Sequence, residues 1–184
     1  LKDMPPSAFV DYDTGKPVGF AVDLLNEVAR RAGYIVDYID VGNWEEAEKA
    51  IKDGTADVCP VFAVTPARSK FISFTRFSEV FSVSIILRSQ DSSIKGVEDL
   101  PGRKVGLLKS SQAFELLKNI KGLKLIEYSS FQIALFDLLS GHIDAYVGPS
   151  NVVQNLTGQA GIEDAIKVLS PALMEGKRAF GVRK

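Results

Sequence analysis

Residues 44–63 read WEEAEKAIKDGTADVCPVFA, and residues 131–147 read FQIALFDLLSGHIDAYV. At a single offset of 87 positions, Trp44, Ala47, Ile51, Gly54 and Asp57 match Phe131, Ala134, Leu138, Gly141 and Asp144. In each copy an aromatic residue opens a helix, small or apolar residues recur at helical spacing, a glycine ends the helix, and an acid heads a short apolar run. Continuous runs such as Asp57–Ala63 and Ile143–Val147 read as strands covered on both faces. A repeat this long predicts two similar lobes and not a solenoid, whose repeats run to roughly 20 to 50 residues.

Working outward, Pro17–Gly33 carries Ala21, Leu24, Leu25, Val28 and Ala29 on one helical face, with Gly33 placed as a C-cap. Tyr34–Asp40 alternates and is rich in β-branched and aromatic residues, which predicts a strand. Asn43–Asp53 is the second helix. Beyond residue 100 the pattern resumes, with strands at Lys104–Leu108, Lys124–Tyr128 and Ile143–Val147 and helices at Ser110–Asn119 and Ser130–Ser140. Strand and helix in alternation predict βαβ units and an α/β fold. Phe81–Arg88 is an alternating stretch suited to run from one lobe into the other, and Lys177–Arg183 is suited to return. The expected division is therefore residues 1–87 as lobe 1, 88–175 as lobe 2, and 176–184 as a return strand to lobe 1.

Composition narrows the function classes. The chain has 184 residues, 46% of them hydrophobic, enough to bury a core. Twenty-two Lys and Arg against 23 Asp and Glu leave a net charge of −1, with no run of five like charges to track a phosphate backbone, so no nucleic-acid partner is expected. No stretch approaches the roughly 20 apolar residues that cross a bilayer, so any leader or anchor is expected outside residues 1–184. Cys59 is the one cysteine and fits a buried thiol. His142 is the one histidine, which excludes a histidine-based triad or a two-histidine metal site. Asp57 and Asp144, equivalent in the two copies, suit a structural role. Neither a cofactor nor a metal is expected.

Candidate ligand groups carry two readings each. In Thr65–Pro66–Ala67–Arg68, threonine suits an N-cap and proline the first helical position, so free amides follow at a place that favours anions. Arg68 adds a planar fork able to take a carboxylate through two parallel hydrogen bonds. An ordinary capped turn with a solvated arginine accounts for the same tetrapeptide. Trp44, the one tryptophan, is either a stacking wall or a core residue like its counterpart Phe131. Ser110, Ser111 and Gln112 open a helix after a strand, where serine caps and can also donate to a ligand.

The chain resembles the type II periplasmic binding proteins of the polar-amino-acid branch, family 3, together with the related Venus-flytrap sensor domains of bacterial signalling receptors. The resemblance is carried by Phe9–Val10–Asp11, Gly15–Phe20 and Asp23–Leu24–Leu25; by Trp44 with Gly54 and Asp57; and by Thr65–Arg68 leading to Phe74. It continues through Ile94–Leu100 and Gly102–Gly106 to Gly141–Ala145 and Phe180–Arg183. It implies two lobes, each a mostly parallel sheet flanked by helices, joined by two hinge strands and closing on a small carboxylate-bearing solute. It also implies that Arg68, with Ala63 and Thr65, holds the carboxylate, that Trp44 covers the ligand, and that Ser111 and Gln112 contribute from the second lobe.

The same likeness implies an extracytoplasmic location and a membrane-anchored signalling module such as a histidine kinase as partner, or alternatively the permease of an ABC transporter for amino acids. Relatives on this fold that dehydrate arogenate or related cyclohexadienyl acids provide an enzymatic alternative, but no acid stands in the matched positions to serve it. A pure interaction module, the remaining alternative, predicts no small-molecule binding.

Three departures stand out. The family's first strand, before Met4–Pro5–Pro6, and its final helix, after Lys184, are not in this sequence. Where amino-acid binders carry an acid to hold the ligand ammonium, this chain has Gly148–Pro149–Ser150–Asn151. A carboxylate without an amine, or a ligand held by other groups, is therefore open, and the likeness tilts toward sensor domains.

Overall fold

The computed structural model describes residues 4–11 and 13–184. The chain divides into unit 1, Leu1–Val80 with Lys177–Lys184, and unit 2, Phe81–Gly176.

Unit 1 begins with an antiparallel hairpin, β1 (Phe9–Val10) and β2 (Pro17–Val18), in register Phe9↔Val18. The Asp11 carboxylate ties its turn by accepting from the Thr14 amide and hydroxyl, both at 2.7 Å. Helix α1 (Phe20–Ala32) buries Ala21, Leu25 and Ala29 of the expected face together with Val22, while Val28 is exposed, and it ends on left-handed Gly33. Helix α2 (Trp44–Asp53) opens on a reciprocal cap: Asn43 Oδ1 accepts from the Glu46 amide at 2.9 Å while the Glu46 carboxylate accepts from the Gly42 amide at 2.8 Å. Strand β3 (Val58–Ala63) pairs antiparallel with β9 (Met174–Arg183), from Val58↔Val182 to Ala63↔Arg178. Its register shifts between Cys59 and Phe62, where Pro60 has no amide to give the ladder. Phe62, Met4, Ile51 and Ile72 are fully buried.

One expectation fails here. Tyr34–Asp40 is not a strand: Tyr34 is 74% and Ile35 94% exposed, and the segment is held to α1 through the Tyr38 hydroxyl, which donates to Asn26 Oδ1 at 3.0 Å. β-Propensity needs a ladder, and among the described residues this segment pairs with no strand. The β1–β2 and β3–β9 ladders of unit 1 are antiparallel.

Unit 2 alternates as read: β5 (Lys104–Leu108), α3 (Gln112–Leu117), β6 (Lys124–Tyr128), α4 (Phe131–Leu139), β7 (Ala145–Pro149), then α5 (Ser150–Gln159) and β8 (Ile166–Val168). Strand β5 runs parallel to both β6 and β7, with Gly106 opposite Ile126 and Tyr146. The unit 2 part of β4 (Ile72–Arg88) adds antiparallel pairings to β7 and β8, Ile86 facing Tyr146 and Val168, so the sheet is mixed. Gly106 permits close packing: a Cβ there would stand 2.5 Å from Ile143 and 2.9 Å from Tyr128. Ile85, Ile86, Leu87, Leu107, Leu117 and Leu138 fill the core.

The repeat is physical. Trp44 and Phe131 each open their helix as buried residues, Ile51 and Leu138 are buried, and Gly54 and Gly141 take left-handed φ of 81° and 80°. Asp144 Oδ2 accepts from the Lys104 amide at 2.8 Å, tying the head of β7 to β5.

Candidate functional site

After β3 ends at Ala63, the chain turns through Thr65–Pro66–Ala67 and sends Arg68 back toward α2. Thr65 Oγ1 accepts from the Arg68 amide at 3.2 Å, and only a single tight turn, Arg68–Lys70, follows. The row of free helix amides expected here is therefore not built. The turn is too short, and Thr65 has already taken the Arg68 amide.

That guanidinium is not solvated. Arg68 is 7% exposed, its Nε donates to Glu48 Oε1 at 2.9 Å, and its Nη1 donates to the Ala63 carbonyl at 3.2 Å. Its Cζ lies 4.9 Å from the Phe62 ring centroid and 5.5 Å from that of Trp44, and the two rings stand 6.1 Å apart, tilted by 42°. Burying an unpaired cation costs several kcal/mol, and here a carboxylate and two ring faces offset that cost. Nη2 makes no hydrogen bond among the described residues. Trp44, Ala63, Thr65 and Arg68 thus form one cluster. Glu48 and Phe62 complete it, and the sequence reading missed them; the available signal was that Glu48 lies four residues after Trp44, on the same helix face.

In unit 2, Ser111 and Gln112 sit at the start of α3. Ser111 Oγ caps the helix by accepting from the Phe114 amide at 3.3 Å, so its capping role is real. Ser110 before it has φ 54°, a left-handed conformation that a non-glycine residue adopts at some strain. Gln112 Oε1 is buried with no hydrogen-bond partner among the described residues, and Gly176 leaves it room, since a Cβ there would lie 2.8 Å from that oxygen. Tyr146 Oη is buried and unpaired in the same sense, and burial pushes its phenol well above the ordinary range. Buried polar atoms without partners are uncommon and ask for a reason.

His142 and Cys59 complete the groups singled out from the sequence. His142 Nδ1 lies 3.2 Å from Asp137 on an exposed helix end, and burial pushes the Cys59 thiol up to about 11. Among the described residues no cluster of His, Cys, Asp and Glu could hold a metal ion, and no helix is long and apolar enough to cross a membrane.

The α/β fold, with a buried arginine beside two aromatic rings, is that of the periplasmic-type binding proteins. The chain belongs to the bacterial extracellular solute-binding proteins, family 3, whose pattern matches residues 1–179. It is similar to the amino-acid-binding protein AabA of Dichelobacter nodosus, 26% identical over 99% of this chain and 73% of AabA. Its backbone resembles holo ArgBP from T. maritima at a TM-score of 0.89 and 26% identity, covering 100% of this chain and 80% of that one. A histidine kinase sensor domain with similarity to periplasmic binding proteins matches at 0.90 and 27%, covering 99% and 79%. The chain spans 57% and 56% of the lengths of two further curated binding proteins.

Proposed function

We propose that this domain binds a small carboxylate-bearing solute, an amino acid or organic acid, outside the cytoplasm, with Arg68 as the carboxylate anchor. The observation that carries this reading is the state of Arg68: buried, oriented by Glu48 and the Ala63 carbonyl, and with Nη2 uncommitted. A fork held in advance loses little freedom when it meets its guest. Thr65 fixes the turn beneath it, and Trp44 supplies a flat wall. Ser111 and Gln112, at the start of α3, are assigned as further ligand contacts, and the strained backbone at Ser110 supports that assignment. Binding to closed lobes then shifts the open–closed population by the ligand's extra affinity for the closed form.

The domain acts as the sensor of a membrane signalling receptor such as a histidine kinase, tethered through segments outside these residues. Its likeness to a kinase sensor domain and the absence of an acid in Gly148–Asn151 support that role. The second reading, solute capture for an ABC permease, is favoured by the match to AabA. Catalysis is disfavoured because the one carboxylate in the Arg68 cluster, Glu48, is engaged by that arginine.

Substituting Arg68→Ala tests the anchor. With a ligand found by thermal-shift screening of amino acids, keto acids and dicarboxylates, calorimetric titration should show a loss of about 2 to 5 kcal/mol, with Arg68→Lys in between. Undiminished affinity in the alanine variant removes the assignment.

A further inference from the structure

We propose that Glu48 is a specificity-determining residue: by occupying the Nε edge of Arg68 it fixes which edge of the fork meets the ligand, and its charge makes the site select zwitterions over plain anions. The inference rests on the reading of Arg68 as carboxylate anchor and deepens it.

The geometry is direct. Trp44 and Glu48 share a face of α2, and Glu48 Oε1 reaches Nε at 2.9 Å with side-chain exposures of 26% for Glu48 and 9% for Arg68. The Ala63 carbonyl takes one proton of Nη1. What remains is the Nη end of the fork, so an incoming carboxylate must approach there, on the other side of the same cation from Glu48.

Charge counting gives the consequence. Arg68 and Glu48 sum to zero before any ligand arrives. Lys52 Nζ, 3.6 Å from Glu48 Oε2, adds little, being 49% exposed and lying over the Phe71 ring. A plain anion therefore enters an already neutral site and faces the Glu48 carboxylate across one guanidinium, in a setting where burial weakens screening. A ligand with its own ammonium brings the offsetting charge.

The test pairs each amino acid with its desamino analogue: L-arginine with 5-guanidinopentanoate, L-glutamine with 4-carbamoylbutanoate, and L-leucine with 4-methylpentanoate. Glu48→Gln keeps an acceptor for Nε and removes the charge. In the wild type the amino acid of any bound pair should win, and Glu48→Gln should narrow that preference by about tenfold, chiefly by strengthening the desamino partner. An unchanged ratio, or a wild type that prefers the plain anion, overturns the proposal. Hydrogen exchange at the Arg68 Nε–H, followed by ¹⁵N NMR without ligand, reads the clamp independently: slow exchange supports it, fast exchange overturns it. A protected Nε–H with none of the six probes and none of the screened acids bound overturns the carboxylate site itself, and the selectivity with it.

Discussion

Arg178 is the most deeply buried charged residue described, and its surroundings show what a single ion pair does in unit 1. Its side chain is 3% exposed, and Nη1 donates to Glu79 Oε1 at 2.6 Å; the Glu79 side chain is 17% exposed. The Ser7 hydroxyl lies 2.9 and 2.7 Å from the two Glu79 oxygens, so β4, β9 and the N-terminal segment meet at one carboxylate. Burial lowers the Arg178 pKa, and Glu79 works against that shift. Glu79→Gln withdraws the carboxylate charge from a buried guanidinium, so it should destabilise the protein by about 3 to 5 kcal/mol in urea unfolding. A double exchange of both residues for apolar ones of similar size should cost much less. Nothing in the local sequence announces this pair, because its members are 99 positions apart. Arg68 was legible since Thr65 and Pro66 flag a turn, whereas its pairing with Glu48 depends on where α2 packs.

At the scale of elements, α4 and β6 are latched by the Tyr128 hydroxyl, which donates to Asp137 Oδ2 at 2.7 Å, while His142 Nδ1 lies 3.2 Å from Oδ1. The Tyr128 hydrogen bond, and next His142, hold the Asp137 carboxyl below its ordinary value of 3.8. A depressed carboxyl contributes stability that is fully present above the ordinary value and is lost as pH falls through the folded-state value. Unfolding midpoints should therefore drop more steeply below about pH 4 in the wild type than in Asp137→Asn. The elements themselves divide by how locally they are specified. Helices α1, α2 and α4 and strands β5 and β6 were readable because period, cap and terminal glycine agree. Helix α5 was not, since Pro149 brings no side-chain cap and SNVVQNLTGQ has a weak apolar stripe. Tyr34–Asp40 misled for the opposite reason: its residues favour a strand, but a strand is a relation between two segments.

For the whole molecule, ligand and fold share one equilibrium. A solute bound only by the native state raises stability by mass action, about 2.7 kcal/mol at a concentration 100 times Kd. The melting temperature should thus climb with ligand concentration in the wild type and stay flat in Arg68→Ala over the same range. The repeat at offset 87 was visible from sequence, and its aromatic and glycine positions take equivalent places around α2 and α4. The Arg68 cluster was less visible, because Phe62 and Glu48 join it only through packing of β3 and α2.

Unit 1 is made of two pieces of chain, Leu1–Val80 and Lys177–Lys184, with the whole of unit 2 inserted between them. Translation therefore delivers unit 2 as a finished, uninterrupted stretch while unit 1 still lacks the strand that pairs with Val58–Ala63. The half that carries the arginine can close its ladder only once Val182 has left the ribosome, so the second half in sequence is free to fold first.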